Sequence, residues 1–357
     1  GDPHRGRGRI WSGDRLMATV ALDGRGAEQG PGAIVAGVRA AAADGIRVRV
    51  FGDPAELADA GGVDGVSLLQ ATDEITNEDE PVAAVRSRRG ASIVLAARDV
   101  ALGHSQALAS AGSTGATMTA ALFALRRMRG VRRPALALQL LVPGRSGPPT
   151  LLLDVGANPD ARAADLVQFA YLGAAFSEAV LGVARPRVAL LSVGEEPSKG
   201  SSQVVEANTR LAGAAGLDFR GNLEGRELLR GAAEVVVTDG FTGNVVLKTI
   251  EGTARAVGEA VRAAARSGPR AALGGFLLRP SLSGLRREMD PDTTGGAILL
   301  GLRGVAVVGH GSSGPEGIAN AVRLAARAAN QDAVARTAAL LERYGATRGA
   351  MRDRKDR

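Results

Sequence analysis

The sequence predicts an α/β protein with a doubly wound, three-layer α/β/α architecture. Short apolar runs rich in Val, Leu and Ile recur along the chain, and most end in a glycine-bearing turn followed by an alanine-rich helical stretch. This alternation is typical of βαβ units with parallel strands. The runs are continuously apolar, as expected for strands that helices cover on both faces. The predicted strands are 18–22, 48–51, 92–96, 151–155, 188–193, 235–238 and 305–308.

Length and composition indicate one large domain. The chain has 357 residues, of which 45% are hydrophobic, and this is enough for a single extended core. We assign residues 17–347 to the domain, and we expect 1–16 to be a disordered or non-native extension and 348–357 a charged, frayed tail. Because the sequence has no signal-peptide-like core and no run of about 18 apolar residues, we expect a cytoplasmic location.

Composition also bears on the class of function. The chain has no Cys and three scattered His, which argues against a disulfide, a thiolate site or a zinc site. Its net charge of +7 indicates acidic partners. With an aromatic content of 3%, few side chains are available for stacking on bases, so nucleic acid is not the expected partner.

A segment of small residues at 110–116, SAGSTGA, directly precedes a helical pattern. Backbone N–H groups at a helix N-terminus bind anions, and Ser and Thr hydroxyls add hydrogen-bond donors. The segment therefore predicts either an anion-binding turn or a tightly packed, N-capped helix start. Its candidate ligand-binding residues are Gly112, Ser113, Thr114 and Gly115.

Two further segments, 192–200 and 239–252, each follow a predicted strand and each contain a lysine. Lys199 is expected either to hold a phosphate or to be a solvated loop residue. Lys248 is expected either to point at a ligand or to pair with Glu251 or Asp239. The candidate site residues of these segments are Glu195, Lys199, Asp239, Thr242, Asn244 and Lys248.

Segments 153–158 and 309–313 complete the set, with Asp154 and Asn158 in the first and His310 in the second. His310 is expected either to be hydrogen-bonded structure or to act as a general acid or phosphate-orienting group. Ligands of doubly wound sheets bind at the carboxyl ends of the strands. Because all five segments follow strands, we expect them to converge at one edge of the sheet.

Several well-known catalytic signatures are missing from the sequence. It contains no G-x-x-x-x-G-K-[ST] phosphate loop and no G-x-S-x-G nucleophile elbow. ATP chemistry and serine hydrolysis are therefore not expected. A site rich in N–H groups, hydroxyls and lysine, without an evident nucleophile, suits a reaction in which an anionic substrate is itself the nucleophile.

Taken together, the segments resemble the PlsX phosphate acyltransferases in order and spacing over residues 17–330. The matching stretches are SAGSTGA, LDVGAN, SVGEEPSKG, GNLEGRE, DGFTGNVVLKTIEG and GHGSS. The resemblance implies an isocitrate/isopropylmalate dehydrogenase-like or phosphotransacetylase-like fold and a homodimer. It also implies conversion of an acyl-[acyl-carrier protein] and inorganic phosphate to acyl-phosphate and free carrier, an early step of phospholipid synthesis. No cofactor or metal is implied, because the phosphopantetheine arm arrives on the carrier protein.

The resemblance also implies site residues and leaves alternatives open. Lys248, Ser113, Thr114 and His310 are expected to be catalytic, with the other candidates binding substrate or phosphate. The chain departs from the family at 23–28, DGRGAE in place of a DAMGGD-type turn, and at Ser113 in place of Asn. The alternatives are a non-catalytic paralogue that binds the carrier protein and membrane, and a phosphotransacetylase that acts on short acyl-CoA.

Two cationic features bear on partners. The arginines at 126, 127, 129, 132 and 133 are expected either to steer the acidic carrier protein or to be a solvated helix end. Segment 270–290 reads as an amphipathic, cationic hairpin around Pro280. The resemblance implies that this segment makes dimer contacts and touches an anionic membrane, near a downstream glycerol-3-phosphate acyltransferase. An ordinary buried interface helix is the alternative.

Overall fold

A computed structural model of the protein describes residues 18–144, 147–288 and 291–347. Within these ranges a single sheet of eleven strands has helices packed on both faces, which confirms the predicted three-layer fold class. The strands are β1 (Thr19–Asp23), β2 (Arg47–Gly52), β3 (Val66–Gln70), β4 (Ala107–Ser110), β5 (Ala135–Leu140), β6 (Thr150–Leu153), β7 (Arg187–Ser192), β8 (Asp218–Glu224), β9 (Val235–Val237), β10 (Ala297–Leu300) and β11 (Val305–Val308). The α-helices are α1 (Gly30–Ala43), α2 (Pro81–Ser87), α3 (Ser92–Ala101), α4 (Thr114–Leu125), α5 (Ala163–Phe176), α6 (Ser202–Ala212), α7 (Gly240–Ala265), α8 (Pro269–Glu288), α9 (Pro315–Asn330) and α10 (Ala333–Arg343).

The sheet is mixed, and the expectation of uniformly parallel strands is wrong. The strand order is β3-β2-β1-β4-β11-β10-β5-β6-β9-β7-β8. Strands β1 to β4 and β11 are parallel to one another, whereas β10 and β5 form antiparallel pairs at the centre. After these reversals, β6, β7, β8 and β9 run opposite to β1. The carboxyl ends of the two halves therefore lie at opposite edges of the sheet, and the glycine segments form two groups.

One of the seven predicted strands is a helix. Residues 92–96 open α3, because apolar side chains recur at Ile93, Ala96, Ala97 and Val100. These four positions follow the i, i+3, i+4, i+7 spacing of one helix face, and all four are buried. The other six predicted strands are confirmed as β1, β2, β6, β7, β9 and β11, while β3, β4, β5, β8 and β10 were not predicted.

The core is divided by the sheet into two apolar layers. On one face α1, α5, α6, α9 and α10 bury aliphatic and aromatic side chains such as Ile34, Phe169 and Val322. On the other face α2, α3 and α4 bury aliphatic side chains, including Ile93 and Ala120. Alanine is frequent in both layers, so the helices approach the sheet closely and hold the strand ends in fixed positions.

Helices α7 and α8 form a largely exposed helix pair, and Val246, Leu247 and Ile250 of α7 pack, partly buried, against the core. Of the 26 residues of α7 only Gly240 and Gly243 are buried. Residues 266–268 join the two helices, and Gly275 of α8 lies against Ala265. The predicted hairpin centred on Pro280 is wrong, because α8 continues through that residue as one helix. None of the helices in the described ranges combines the length and the hydrophobicity that a membrane crossing requires.

Candidate functional site

The turn between β4 and α4 presents the N-terminus of α4 at one edge of the sheet. Ser113 caps α4, and its Oγ accepts a hydrogen bond from the Ala116 N–H at 3.4 Å. Thr114, the first residue of the helix, is exposed, whereas Gly115 fits against Pro81, whose Cγ would lie 2.7 Å from an added Cβ. The N-capped helix start is therefore confirmed. The N–H groups of Thr114 and Gly115 belong to the first turn, where no intrahelical acceptor exists, so an anion can take them.

Asp23, a buried aspartate outside the predicted set of site residues, is hydrogen-bonded to this turn through Ser110. Asp23, at the end of β1, is 4% exposed. Its Oδ1 accepts a hydrogen bond from Ser92 Oγ at 2.5 Å, and its Oδ2 accepts one from Ser110 Oγ at 2.8 Å. Burial raises the pKa of the Asp23 carboxyl to about 6, against the opposing effect of these hydrogen bonds. The signal that could have found it is its position, an acidic residue directly between a buried strand and a glycine.

His310 reaches the same edge from the neighbouring strand β11. Val308 of β11 pairs with Ser110 of β4, and the Gly309 N–H donates to the Ser110 carbonyl at 2.7 Å. The next residue, His310, therefore stands beside the turn that leads to Ser113. This neighbourhood follows from strand pairing alone, because β4 and β11 are parallel and end in register.

Lys248 joins this edge from α7. Its Nζ lies 3.0 Å from His310 Nε2 and 2.9 Å from Glu251 Oε2. His310 Nδ1 lies 2.7 Å from Ser312 Oγ. Because an ammonium group has only donors, Lys248 donates to Nε2 in this contact. The Ser312 N–H also points at His310 Nδ1, at 3.3 Å. The pairing of Lys248 with Glu251 is confirmed, and Glu251 and Ser312 are additional members of the site.

The path of α7 explains how Lys248 arrives there. The helix begins at Gly240, after β9, at the edge opposite to the carboxyl ends of β4 and β11. Eight residues of helix carry the backbone about 12 Å, back across the sheet toward those ends. We name the 110–116 turn, His310, Lys248 and Glu251 the cationic edge.

A second group of predicted residues forms a buried hydrogen-bonded cluster around Asp154, next to the start of α7. Asp154 is fully buried, and its carboxylate accepts hydrogen bonds from the N–H groups of Leu136, Ala157 and Asn158 at 2.9, 3.1 and 2.6 Å. The side-chain amide of Asn158 also donates to Asp154, at 2.8 Å. Burial raises the pKa of Asp154. The expectation that Asp154 and Asn158 bind substrate directly is corrected, because their polar atoms are taken up inside the fold.

Two glycines without side chains, Gly240 and Gly243, allow α7 to pack closely against the Asp154 cluster. A Cβ at Gly243 would clash with the Asp154 carbonyl oxygen, so no larger residue fits there. Asp239 caps the helix by accepting from the Thr242 N–H at 2.8 Å and from Thr242 Oγ1 at 2.7 Å. Asp239 and Thr242 therefore fix where α7 starts, and through it the position of Lys248. Asn244 is exposed on the outer face of the first turns.

The loop after β7 is not part of the cationic edge. It follows the carboxyl end of β7, which lies at the opposite edge of the sheet. Lys199 is exposed, and within the described part of the chain its ammonium has no hydrogen-bond or ion-pair partner. Glu195 is exposed and lies 3.4 Å from Arg226. The solvated-lysine interpretation fits Lys199, and the predicted convergence of all five segments is wrong.

The basic residues after α4 lie far from its capped end. They follow Leu125, and the twelve residues of α4 place them about 18 Å along the helix from Ser113. Arg132 is held by Asp165 at 2.7 Å, whereas Arg126, Arg127 and Arg129 are exposed. A role in carrier docking stays a prediction for these residues.

Known proteins are similar to this chain in sequence and in fold. A family model described as "Fatty acid synthesis protein" matches residues 18–336. A phosphate acyltransferase from Heliobacterium modesticaldum is 42% identical over 323 residues, which cover 88% of this chain and 95% of that protein. The chain belongs to the PlsX phosphate acyltransferase family. Another phosphate acyltransferase, from Thermobifida fusca, is 44% identical over 314 residues and covers 86% of each chain.

Solved structures of lower identity support the fold assigned to this phosphate acyltransferase family member. A branched-chain phosphotransacylase from Enterococcus faecalis has a TM-score of 0.58 at 18% identity, covering 88% of this chain and 99% of that one. A phosphotransacetylase from Streptococcus pyogenes has a TM-score of 0.56 at 17% identity, covering 88% and 94%. At these identities the likeness concerns the fold alone.

Proposed function

We propose that this chain transfers the acyl group of an acyl-[acyl-carrier protein] thioester to inorganic phosphate, giving acyl-phosphate and free carrier for phospholipid synthesis. The observation that carries the proposal is the 3.0 Å contact between Lys248 and His310. It joins a cation on α7 to the strand end that flanks the N-terminus of α4. A phosphate dianion bound at the cationic edge can therefore contact a positive charge, hydroxyl groups and free N–H groups.

The chemistry needs little beyond positioning and charge stabilisation. A phosphate oxygen attacks the thioester carbonyl carbon, so a C–O bond forms while the C–S bond breaks. The electron pair leaves with sulfur, and the proton that hydrogen phosphate loses ends on sulfur to give the carrier thiol. Holding phosphate and thioester together converts an encounter of two reactants into a step within one complex. N–H groups and a cation aimed at the developing oxyanion lower the barrier further.

We assign roles by contact with this edge. Ser113, Thr114 and the N–H groups of the α4 turn hold the phosphate, and Lys248 neutralises its charge. His310 orients the Lys248 ammonium together with Glu251. Because Gly112 and Gly115 have no side chains, the phosphate can come close to the backbone of the turn. The start of α7 is positioned by Asp154, Asn158, Asp239 and Thr242. We propose that the substrate is contacted away from the transferred group by Glu195, Lys199 and Asn244.

The two departures from the family pattern leave this edge intact. Arg25 turns toward Glu56 and Asp53, with distances of 3.4 and 3.8 Å from its guanidinium. Ser113 keeps the helix cap and retains a hydroxyl hydrogen for a ligand. A non-catalytic paralogue is therefore not favoured. A phosphotransacetylase acting on short acyl-CoA shares the fold, but the 40–44% identical relatives carry the phosphate acyltransferase name.

We further propose that the α7–α8 helix pair serves the partners. Leu273, Phe276, Leu277 and Leu278 are all more than half exposed, and Arg270 and Arg279 are exposed beside them. Apolar and cationic side chains on one helix suit an anionic membrane surface. In this proposal the helix pair also contributes to a homodimer and brings acyl-phosphate near a membrane glycerol-3-phosphate acyltransferase. We propose in addition that the protein is cytoplasmic and that its peripheral membrane contact is made by the same helix pair.

The test of the reaction measures both products. Palmitoyl-[acyl-carrier protein] is incubated with the protein, with and without inorganic phosphate, and hydroxylamine traps any acyl-phosphate. We expect release of free carrier that depends on phosphate, together with the acyl hydroxamate. Acetyl-CoA serves as the comparison substrate. Acetyl-phosphate formed faster than palmitoyl-phosphate would favour the phosphotransacetylase alternative.

A further inference from the structure

Asp23 is a buried carboxyl group that the proposed reaction does not use. It connects three elements, because its oxygens accept hydrogen bonds from Ser92 at the start of α3 and from Ser110 at the end of β4. The Arg25 N–H also donates to it, at 3.3 Å. The group is therefore held on both oxygens directly under the turn that leads to Ser113.

Ser110 passes this contact on to the turn. Its Oγ donates to Asp23 and accepts from the Gly112 N–H at 3.0 Å. Thr117 Oγ1 lies 3.1 Å from the same oxygen and 2.9 Å from the Ser113 carbonyl, so the first turn of α4 is tied to Ser110 as well. A Cβ at Gly112 would stand 3.1 Å from Asp23 Oδ2. The carboxyl group thus lies one hydrogen-bonded residue away from the turn that faces phosphate.

Few charges compensate the Asp23 carboxylate. The Arg25 guanidinium points away, toward Glu56 and Asp53. Glu74 adds like-charge repulsion, and Asp73 accepts from the Glu74 N–H in the same loop. The contacts from α3 and β4 are neutral hydroxyls. A phosphate dianion bound above the turn would add negative charge to a carboxylate that is already enclosed by neutral and acidic groups.

We propose that Asp23 is a positioning residue for the phosphate-binding turn and that it takes up a proton when phosphate binds. The inference rests on the proposed function, because it assumes that phosphate occupies the α4 turn. Asp23 acts through Ser110 and Gly112 and does not touch the substrate. In the free protein the burial that raises its pKa to about 6 leaves the group mostly ionised near pH 7, so it is ready to accept a proton.

The test measures proton uptake on phosphate binding. Titration calorimetry of the full chain with inorganic phosphate near pH 7, repeated in buffers of different ionisation enthalpy, gives the number of protons taken up. Asp23→Asn is compared with the wild type, so that the ionisation of phosphate itself cancels. The wild type should take up about half a proton or more per site beyond Asp23→Asn. Equal uptake would overturn the proposal.

A matched control variant is Asp99→Asn. Asp99 is also a buried aspartate that accepts from a serine, Ser105 Oγ at 2.6 Å, but it pairs with Arg49 and lies at the other end of α3. Its proton uptake should equal that of the wild type. Loss of uptake in Asp99→Asn as well would mean that any buried aspartate has the same effect, and the inference would then fail.

A second variant separates positioning from folding. Ser110→Ala cuts the connection between Asp23 and Gly112 but leaves the carboxyl group in place. It should raise the KM for phosphate by about tenfold, from the loss of one hydrogen bond to a charged group, with a smaller change in kcat. An unchanged KM would overturn the positioning role. A wild type that forms no acyl-phosphate but still shows Asp23-dependent uptake would contradict the proposed function alone.

Discussion

Lys248 Nζ lies 3.0 Å from His310 Nε2, although the two residues are 62 positions apart and follow two strands, β9 and β11, that run in opposite directions. The contact exists because α7 starts at one edge of the sheet and crosses toward the other. It makes the position of the cation depend on the start of α7, on the register of β11 and on Glu251.

His310 should matter more for turnover than for folding. Its side chain is 38% exposed, so its removal creates no core cavity. We expect His310→Ala to lower kcat by about 10² through loss of an oriented group, with little change in thermal unfolding. His310→Gln, which can still accept from Lys248, should recover part of the loss. Full activity in His310→Ala would contradict the role.

The helix cap at Ser113 should contribute to both stability and phosphate binding. Ser113→Ala removes an N-cap and should lower the free energy of unfolding by about 1 kcal/mol, measured by urea denaturation. It should also raise the KM for phosphate, whereas Ser201→Ala, which removes the cap of α6, should affect stability alone. Equal kinetic effects of the two variants would count against a ligand role for Ser113.

Asp23 should make stability depend on pH in a defined direction. Its pKa rises from 3.8 to about 6 on folding, so the native state holds the proton more tightly than the unfolded state. The stabilisation is complete below pH 3.8 and is lost as the pH rises through about 6, a change of about 3 kcal/mol. The urea midpoint of the wild type relative to Asp23→Asn should therefore fall over this range. A pH-independent difference would contradict the assignment.

Asp99 provides the opposite sign in the same measurement. Its pKa is lowered by Arg49 and Ser105 despite the effect of burial. The native state therefore binds its proton less tightly than the unfolded state, and the stabilisation appears as the pH rises. Relative to Asp99→Asn, the wild type should gain stability from acid to neutral pH. This trend should be opposite to that of Asp23.

The α7–α8 helix pair should bind anionic vesicles. Phe276 and Leu277 are both 69% exposed, and replacing both with Glu should abolish co-sedimentation with vesicles that contain anionic lipid. Val193→Glu, at an 82% exposed apolar residue outside the helix pair, is the matched control and should sediment like the wild type. Undiminished sedimentation of the double variant would contradict the membrane proposal.

Local features of the sequence predicted much of the fold. The buried apolar runs identified six strands, because strands covered on both faces need no alternation. The run at 92–96 misled because the half-buried Val94 and Leu95 lie between the buried Ile93 and Ala96, so this part of a helix is continuously apolar in sequence. The mixed strand directions were missed, since a reversal at β5 and β10 leaves no periodicity of its own.

The site was predicted in part. The SAGSTGA turn, His310 and Lys248 each follow from local chemistry, and the structure brings them to one edge. Their contact depends on the length of α7 and on strand register, which no single segment encodes. Asp154 was selected for its polar side chain, but its buried carboxylate already accepts hydrogen bonds from three backbone N–H groups within the fold.

In the proposed reaction Lys248 supplies the positive charge for phosphate at the cationic edge. The most direct test compares phosphate-dependent formation of acyl hydroxamate by the wild type, Lys248→Ala and Arg255→Ala, a variant that removes an exposed cation two turns further along α7. We expect the wild type and Arg255→Ala to be active and Lys248→Ala to lose about 10² or more in kcat/KM for phosphate. Wild-type activity in Lys248→Ala would contradict the claim.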